Sequence, residues 1–183
     1  MARIEPVDKT TVSPAVQLAF ERHVETYKGR ITNMKATLAH SLLAFNVYMQ
    51  WYPLYEETRK ILGDRLAYLF AYAVSYASNC PLCSTFFRKI IIDAGEQPEH
   101  LVLTTYEQEV LDVGEAIAAN KGHINDELFQ KLADKFSVYD IVVLVAFAGQ
   151  MIATNVFNNV FETEIDGYLS GYIAPEQLSV HHE

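Results

Sequence analysis

Two cysteines stand three positions apart in the run Ser78-Asn79-Cys80-Pro81-Leu82-Cys83, and they are the chain's only cysteines. That spacing supports three uses. A thiolate is a nucleophile, and a second thiol one helical turn away can displace its oxidised product and close a disulfide. A zinc ion would use the same pair but needs two further ligands. Two buried thiols with no reactivity are the third use. The histidines are His23, His40, His100, His123, His181 and His182, and only the terminal His181-His182 forms a second close pair. No metal and no cofactor are therefore expected.

The flanking residues say how such a pair would be positioned. Asp64 opens an apolar segment over 64–77, Asn79 interrupts it, and a new helix is expected over 80–93 with Gly95 as its stop. Cys80 then falls in the first turn, where Pro81 is tolerated and unpaired N–H groups favour an anion. Tyr68, Tyr72 and Tyr76 repeat every fourth residue, so they share one face of the preceding helix.

The remaining punctuation is also helical. Ser13-Pro14 reads as an N-cap with a first-turn proline, Val16, Phe20, Val24 and Tyr27 as one face, and Gly29 as a terminator. Residues 33–40 and 41–52 read as a short helix joined to a longer one that Pro53 breaks or kinks, with a further turn or two ending at Gly63. Thr104 with Glu107 forms a capping box ahead of Tyr106, Val110, Val113 and Ile117. Asn125 caps a helix bearing Leu128, Leu132 and Phe136, and Ser137 with Asp140 opens the most apolar helix, ending near residue 162. Strict strand alternation is absent. The reading is one all-α domain over 1–183 of about seven or eight helices, with a loose or docking tail at 171–183.

Composition bounds the partners. The formal net charge is −9, which argues against nucleic acid, because phosphate binding needs a basic face. The polar N-terminal segment is not expected to be a signal peptide, and a close cysteine pair suits the cytoplasm. Residues 66–87 and 141–161 carry no charge over a length near a bilayer span. Tyrosines, asparagines and Pro81 within them favour burial among other helices, so no membrane span is expected.

Around these cysteines the chain resembles the carboxymuconolactone decarboxylase / alkylhydroperoxidase D (AhpD-like) superfamily. The resemblance lies in a helix, a short break and then Cys-x-x-Cys opening the next helix, with lead-in helices in "NMKATLAHSLLAFNVYMQWYPL" and a closing helix in "FSVYDIVVLVAFAGQMIATNVFNNVFETEID". It covers about residues 31–168, with 1–30 as a helical extension. The resemblance implies an all-helical fold assembled as a dimer, trimer or hexamer. It also implies a cysteine pair that reduces a hydroperoxide or a disulfide at the expense of a thiol reductant. In its peroxidase branch Cys83 would attack, Cys80 would form the disulfide, and a glutamate and a histidine would relay the proton.

The match at the relay is incomplete. The glutamate position, twelve before Cys80, is Tyr68; the histidine position, four after Cys83, is Phe87. Tyrosine is a poor base near neutrality and phenylalanine carries no proton. Candidate substitutes are the row Tyr68, Tyr72 and Tyr76, and His40 on a lead-in helix. Ser84 and Thr85 are candidate thiolate donors, and Arg88 a source of positive potential. Asn155, Asn158 and Asn159 are unusual in an apolar helix and are expected to line a pocket or to bury hydrogen bonds across a subunit contact. The alternative is a non-catalytic binding or assembly protein on the same scaffold. The decarboxylase branch ranks last, because no polar cluster for a carboxylate is evident.

Overall fold

In the computed structural model, residues 1–174 are described. Among them are eight α-helices: α1 (Pro14–Tyr27), α2 (Asn33–Leu38), α3 (Leu42–Tyr48), α4 (Trp51–Ala77), α5 (Pro81–Asp93), α6 (Thr105–Ala119), α7 (Asp126–Ala133) and α8 (Val138–Phe161). Short 3-10 turns occupy Pro98–His100 and Gly167–Tyr172. The chain is all-α, as its punctuation predicts.

The caps form as their residue types dictate. Ser13, Thr104, Asn125 and Ser137 each accept from the first turn of their helix, and the two capping boxes close in both directions. The main core lies where α4, α6 and α8 pack, around Leu69, Phe70, Val74, Val113, Phe147 and Met151. A smaller core holds α1, α2 and α3 together through Phe20, Leu38, Ala39, Phe45 and Met49. The N-terminal strand of chain is tied to the end of α8 by Arg3 N–H donating to Phe161 O at 2.8 Å.

Two local expectations are corrected, and one is met. The break between lead-in helices falls at Met49 and Gln50, not at Pro53. Pro53 lies in the first turn of α4, where its missing N–H costs nothing. Gly63, at φ 77° and outside the helical conformation, separates the first turns of α4 from the apolar part that Asp64 opens, as expected. In α1 the buried positions are Phe20 and His23, whereas Val24 is exposed, and Lys28 rather than Gly29 takes the left-handed conformation that ends the helix. The segment after residue 165 is not loose where it is described. Leu169 is buried, and Tyr172 donates to Asp93 Oδ1 at 3.1 Å, seating the 3-10 turn on α5. His181 and His182 lie outside the described residues.

Helix α8 is long and apolar enough to cross a membrane, at a mean hydropathy of 1.7. One face is nevertheless packed on α4 and α6, and that face carries the buried Asn155 and Asn158. The uncharged stretch at 66–87 is the second half of α4 and the start of α5, joined by a turn.

Candidate active site

The turn between α4 and α5 sets the cysteines. Asn79 takes φ 49°, and Cys80 follows in an extended conformation as the N-cap of α5, with Pro81 in the first turn. The Cys83 N–H donates to Cys80 Sγ at 3.4 Å, and the two thiols also hydrogen-bond each other. Ser84 Oγ donates to Cys80 O at 2.8 Å, and Asn159 of α8 donates to Ser78 O at 3.1 Å, fixing the turn. Both cysteines are free and buried.

One more donor arrives from α8. Asn158 Nδ2 donates to Cys83 Sγ at 3.2 Å. The two sulfurs then differ in charge. The Cys83 thiol, followed by the Cys83 backbone N–H, holds the Cys80 thiol below its ordinary range against the opposing effect of burial. Donation to Cys80, burial and a neighbouring thiolate push Cys83 well up. The pair thus loses its first proton from Cys80 and retains the second on Cys83.

The sulfurs also face different spaces. Cys80 lines an open cleft with Asn79, Asn158, Asn159 and Thr163. Cys83 lines a cavity of about 110 Å³ walled by Trp51, Tyr52, Phe86, Phe87 and Met151. Phe87, at the position where the resemblance places a histidine, is part of that wall.

The tyrosine row does not converge on the sulfurs. Tyr68 donates to Glu96 Oε1 at 3.0 Å, within a network joining Arg65 to Glu96 and Glu107, and its hydroxyl is pushed up to about 12 by burial and that carboxylate. Tyr72 lies beside Arg88, and burial raises its hydroxyl despite that charge. Tyr76 is half exposed. His40 is exposed, with Nε2 at 2.9 Å from Glu5 O. Arg88, expected near the thiols, pairs instead with Glu99. Among the described residues no three His, Cys, Asp or Glu side chains group closely enough to hold a metal.

The sequence reading missed the polar end of the Cys83 cavity. Lys35 and Asp166 line it together with Tyr52 and Tyr168. One signal was present: Lys35 is the only Asp, Glu, Lys or Arg between Ile31 and Tyr55. A lone lysine in an uncharged stretch that packs as helix has to be buried or functional.

No family model matches the chain, and no curated protein matches it by sequence. Solved structures do match. The apo form of the debrominase Bmp8 has a TM-score of 0.74 at 17% identity, covering 92% of this chain and 95% of that one. A cysteine-to-alanine variant of Bmp8 in complex with 2,3,4-tribromopyrrole gives 0.76 at 16% identity, covering 92% and 94%. An uncharacterised peroxidase-related protein from Ralstonia eutropha JMP134 with an alkylhydroperoxidase AhpD core gives 0.66 at 13%, covering 92% and 94%. Another peroxidase-related protein, from Silicibacter sp. TM1040, gives 0.66 at 16%, covering 91% and 94%. The chain therefore has the AhpD-like helical fold over nearly its whole length.

Proposed function

We propose that the protein is a dithiol oxidoreductase whose Cys80–Cys83 pair gives two electrons to a small electrophile and closes to a disulfide. The observation that carries this reading is the pair itself: two hydrogen-bonded thiols at a helix N-terminus, one sulfur on a cavity large enough for a small molecule. Cys83 is the sulfur that meets the substrate. Its proton passes to Cys80 along their hydrogen bond, and Asn158 remains to stabilise the new thiolate. With an organic hydroperoxide, Cys83 attacks the terminal oxygen and the O–O bond breaks. The alkoxide takes a proton and leaves as alcohol. Cys80 then displaces water from the Cys83 sulfenic acid, and an external thiol reductant restores the pair. Asn158 and the paired sulfur replace the acid–base groups that Tyr68 and Phe87 do not supply.

The test counts products and maps sulfur. One equivalent of hydroperoxide should give one alcohol and one Cys80–Cys83 disulfide per chain. In Cys80→Ser, which loses the proton acceptor as well as the resolving thiol, a sulfenic acid should form on Cys83 more slowly and be trapped there; in Cys83→Ser, hydroperoxide should survive. Retention of both free thiols after exposure rules out hydroperoxide as the electrophile, and retention after exposure to a halogenated aromatic ring as well overturns the dithiol reading and leaves a non-catalytic scaffold.

A second reading follows from the aromatic wall beside Cys83 and the likeness to Bmp8. On a halogenated aromatic ring, the Cys83 thiolate would take the halogen, the carbon–halogen bond would break, and the ring carbon would take a proton. Cys80 would then expel halide and close the disulfide. Halide release without hydroperoxide consumption selects this reading. Under either reading, free thiols fit a reducing cytoplasm, and we propose assembly into a homo-oligomer.

A further inference from the structure

The Cys83 cavity has a polar end, and its polar groups are not fully used. Lys35 is 6% exposed, and its Nζ donates to Arg30 O at 2.7 Å and to Tyr52 Oη at 2.8 Å. Those bonds use two of its three N–H groups, and the third has no partner among the described residues. Among the described residues no carboxylate lies within ion-pair distance of Lys35, although the charge of Asp166 is felt there. Asp166 accepts the Asn33 N–H on Oδ1 at 3.0 Å, while its buried Oδ2 has no hydrogen-bond partner among the described residues. Their occupied atoms explain a structural duty, holding the ends of a short helix and its preceding loop. The spare N–H and the spare oxygen are left over from that duty, and both residues line the space that Cys83 lines.

A buried donor and a buried acceptor left open are costly unless something meets them. A carboxylate would satisfy Lys35 but repel Asp166, and an ammonium would do the reverse. A neutral hydroxyl does both, accepting from Lys35 and donating to Asp166 Oδ2. The rest of the lining is mostly apolar, with Trp51, Phe86 and Phe87 beside Met34, Met49 and Met151. At about 110 Å³ the cavity is near the roughly 150 Å³ known to admit benzene in another protein, so it suits one ring. We infer that the cavity binds a single-ring aromatic alcohol of the phenol class, its hydroxyl held between Lys35 and Asp166 and its ring lying toward Cys83. The inference deepens the dithiol reading, since it names the ring on which the reactive bond is carried. Binding itself needs no redox chemistry.

Trp51 is the chain's only tryptophan and lines the cavity, so its fluorescence reports occupancy. The reduced full chain is titrated with phenol, toluene, benzoate and benzylamine, exciting at the red edge of the tryptophan band, where none of them absorbs. Toluene matches phenol in shape, and hydrophobic transfer alone favours toluene. Phenol should nevertheless bind at least about threefold tighter than toluene, because only phenol meets the open donor and acceptor. Both charged probes should bind more weakly than phenol. Asp166→Asn should remove the preference for phenol while leaving toluene affinity unchanged, which also shows that the variant is folded. Equal or stronger binding of toluene, preference for benzoate or benzylamine, or no response to any probe overturns the inference. These outcomes are read without hydroperoxide or halide, so the dithiol reading stands or falls separately.

Discussion

Cys80 owes its lowered ionisation first to the thiol of Cys83, and only then to backbone N–H groups at the start of α5. Cys83→Ala removes the largest stabilising contact, so Cys80 should ionise at a higher pH than in the wild type. The thiolate absorbance of the single-cysteine variant, followed against pH, should rise later; an earlier or unchanged rise overturns this account. Asn158→Leu removes the donor on Cys83 without adding charge, and hydroperoxide reduction should slow by about tenfold, as expected for one charge-assisted hydrogen bond. A second residue reports on the folded state. His23 is buried with both ring nitrogens unpartnered, and burial, with the nearby Lys35 charge, lowers it to about 4. The unfolded ring titrates near 6.5, so between those values the unfolded chain binds the extra proton. Stability from this residue is therefore complete above about pH 6.5 and is lost as pH falls toward about 4, by an amount on the order of 1–3 kcal/mol. Denaturant unfolding at about pH 7 and about pH 5 should show a smaller loss for His23→Phe than for the wild type.

At the scale of elements, the main core depends on how closely α4 and α6 approach. Gly114 of α6 faces Phe70 and Val74 of α4, and a Cβ added there would stand 2.8 Å from Phe70 Cε2 and 3.2 Å from Val74 Cγ2. Phe70 is buried in the centre of the main core and cannot swing away. Gly114→Ala should therefore destabilise the fold by about 1–3 kcal/mol despite alanine's better helix propensity, as measured by the denaturant midpoint at unchanged slope. The elements were legible in the sequence because their signals are local. Ser13, Thr104, Asn125 and Ser137 act on N–H groups three residues away, and Cys80-Pro81 marks a helix start by the same rule. Pro53 misled because proline breaks a helix interior yet suits a first turn, and only the break at Met49–Gln50 decides which applies. The tyrosine row was legible as a face, but what that face meets depends on Glu96 and Arg88, which come from outside its own helix. The cavity was the least legible part. Lys35, Cys83 and Asp166 come from α2, α5 and the turn after α8, so nothing in their spacing predicts that they share a wall.

For the whole molecule, the unspent feature is the outer face of α8. Val138, Val142, Val145, Val156 and Val160 are all exposed and fall on one side of the helix at α-helical spacing, with Gly149 open on the same side. The stripe runs the length of a 24-residue helix, about 36 Å, and no charged residue interrupts it between residues 141 and 161. A chain with a net charge of −9 repels its own copies at long range, so a self-contact has to be apolar and free of like charge. This stripe meets both conditions, and it is where the proposed homo-oligomer should form. Val142→Lys with Val145→Lys places two cations at the end of α8 remote from Asn158. Sedimentation velocity should show the wild type above the 20.7 kDa of one chain and the double variant at that mass. The site should be undisturbed, so hydroperoxide-driven disulfide formation at Cys80–Cys83 should proceed alike in both if each subunit holds a complete cavity, as the lining from one chain indicates. A wild type that sediments as a single chain defeats the assembly proposal. Loss of disulfide formation in a folded double variant would show instead that the partner completes the site.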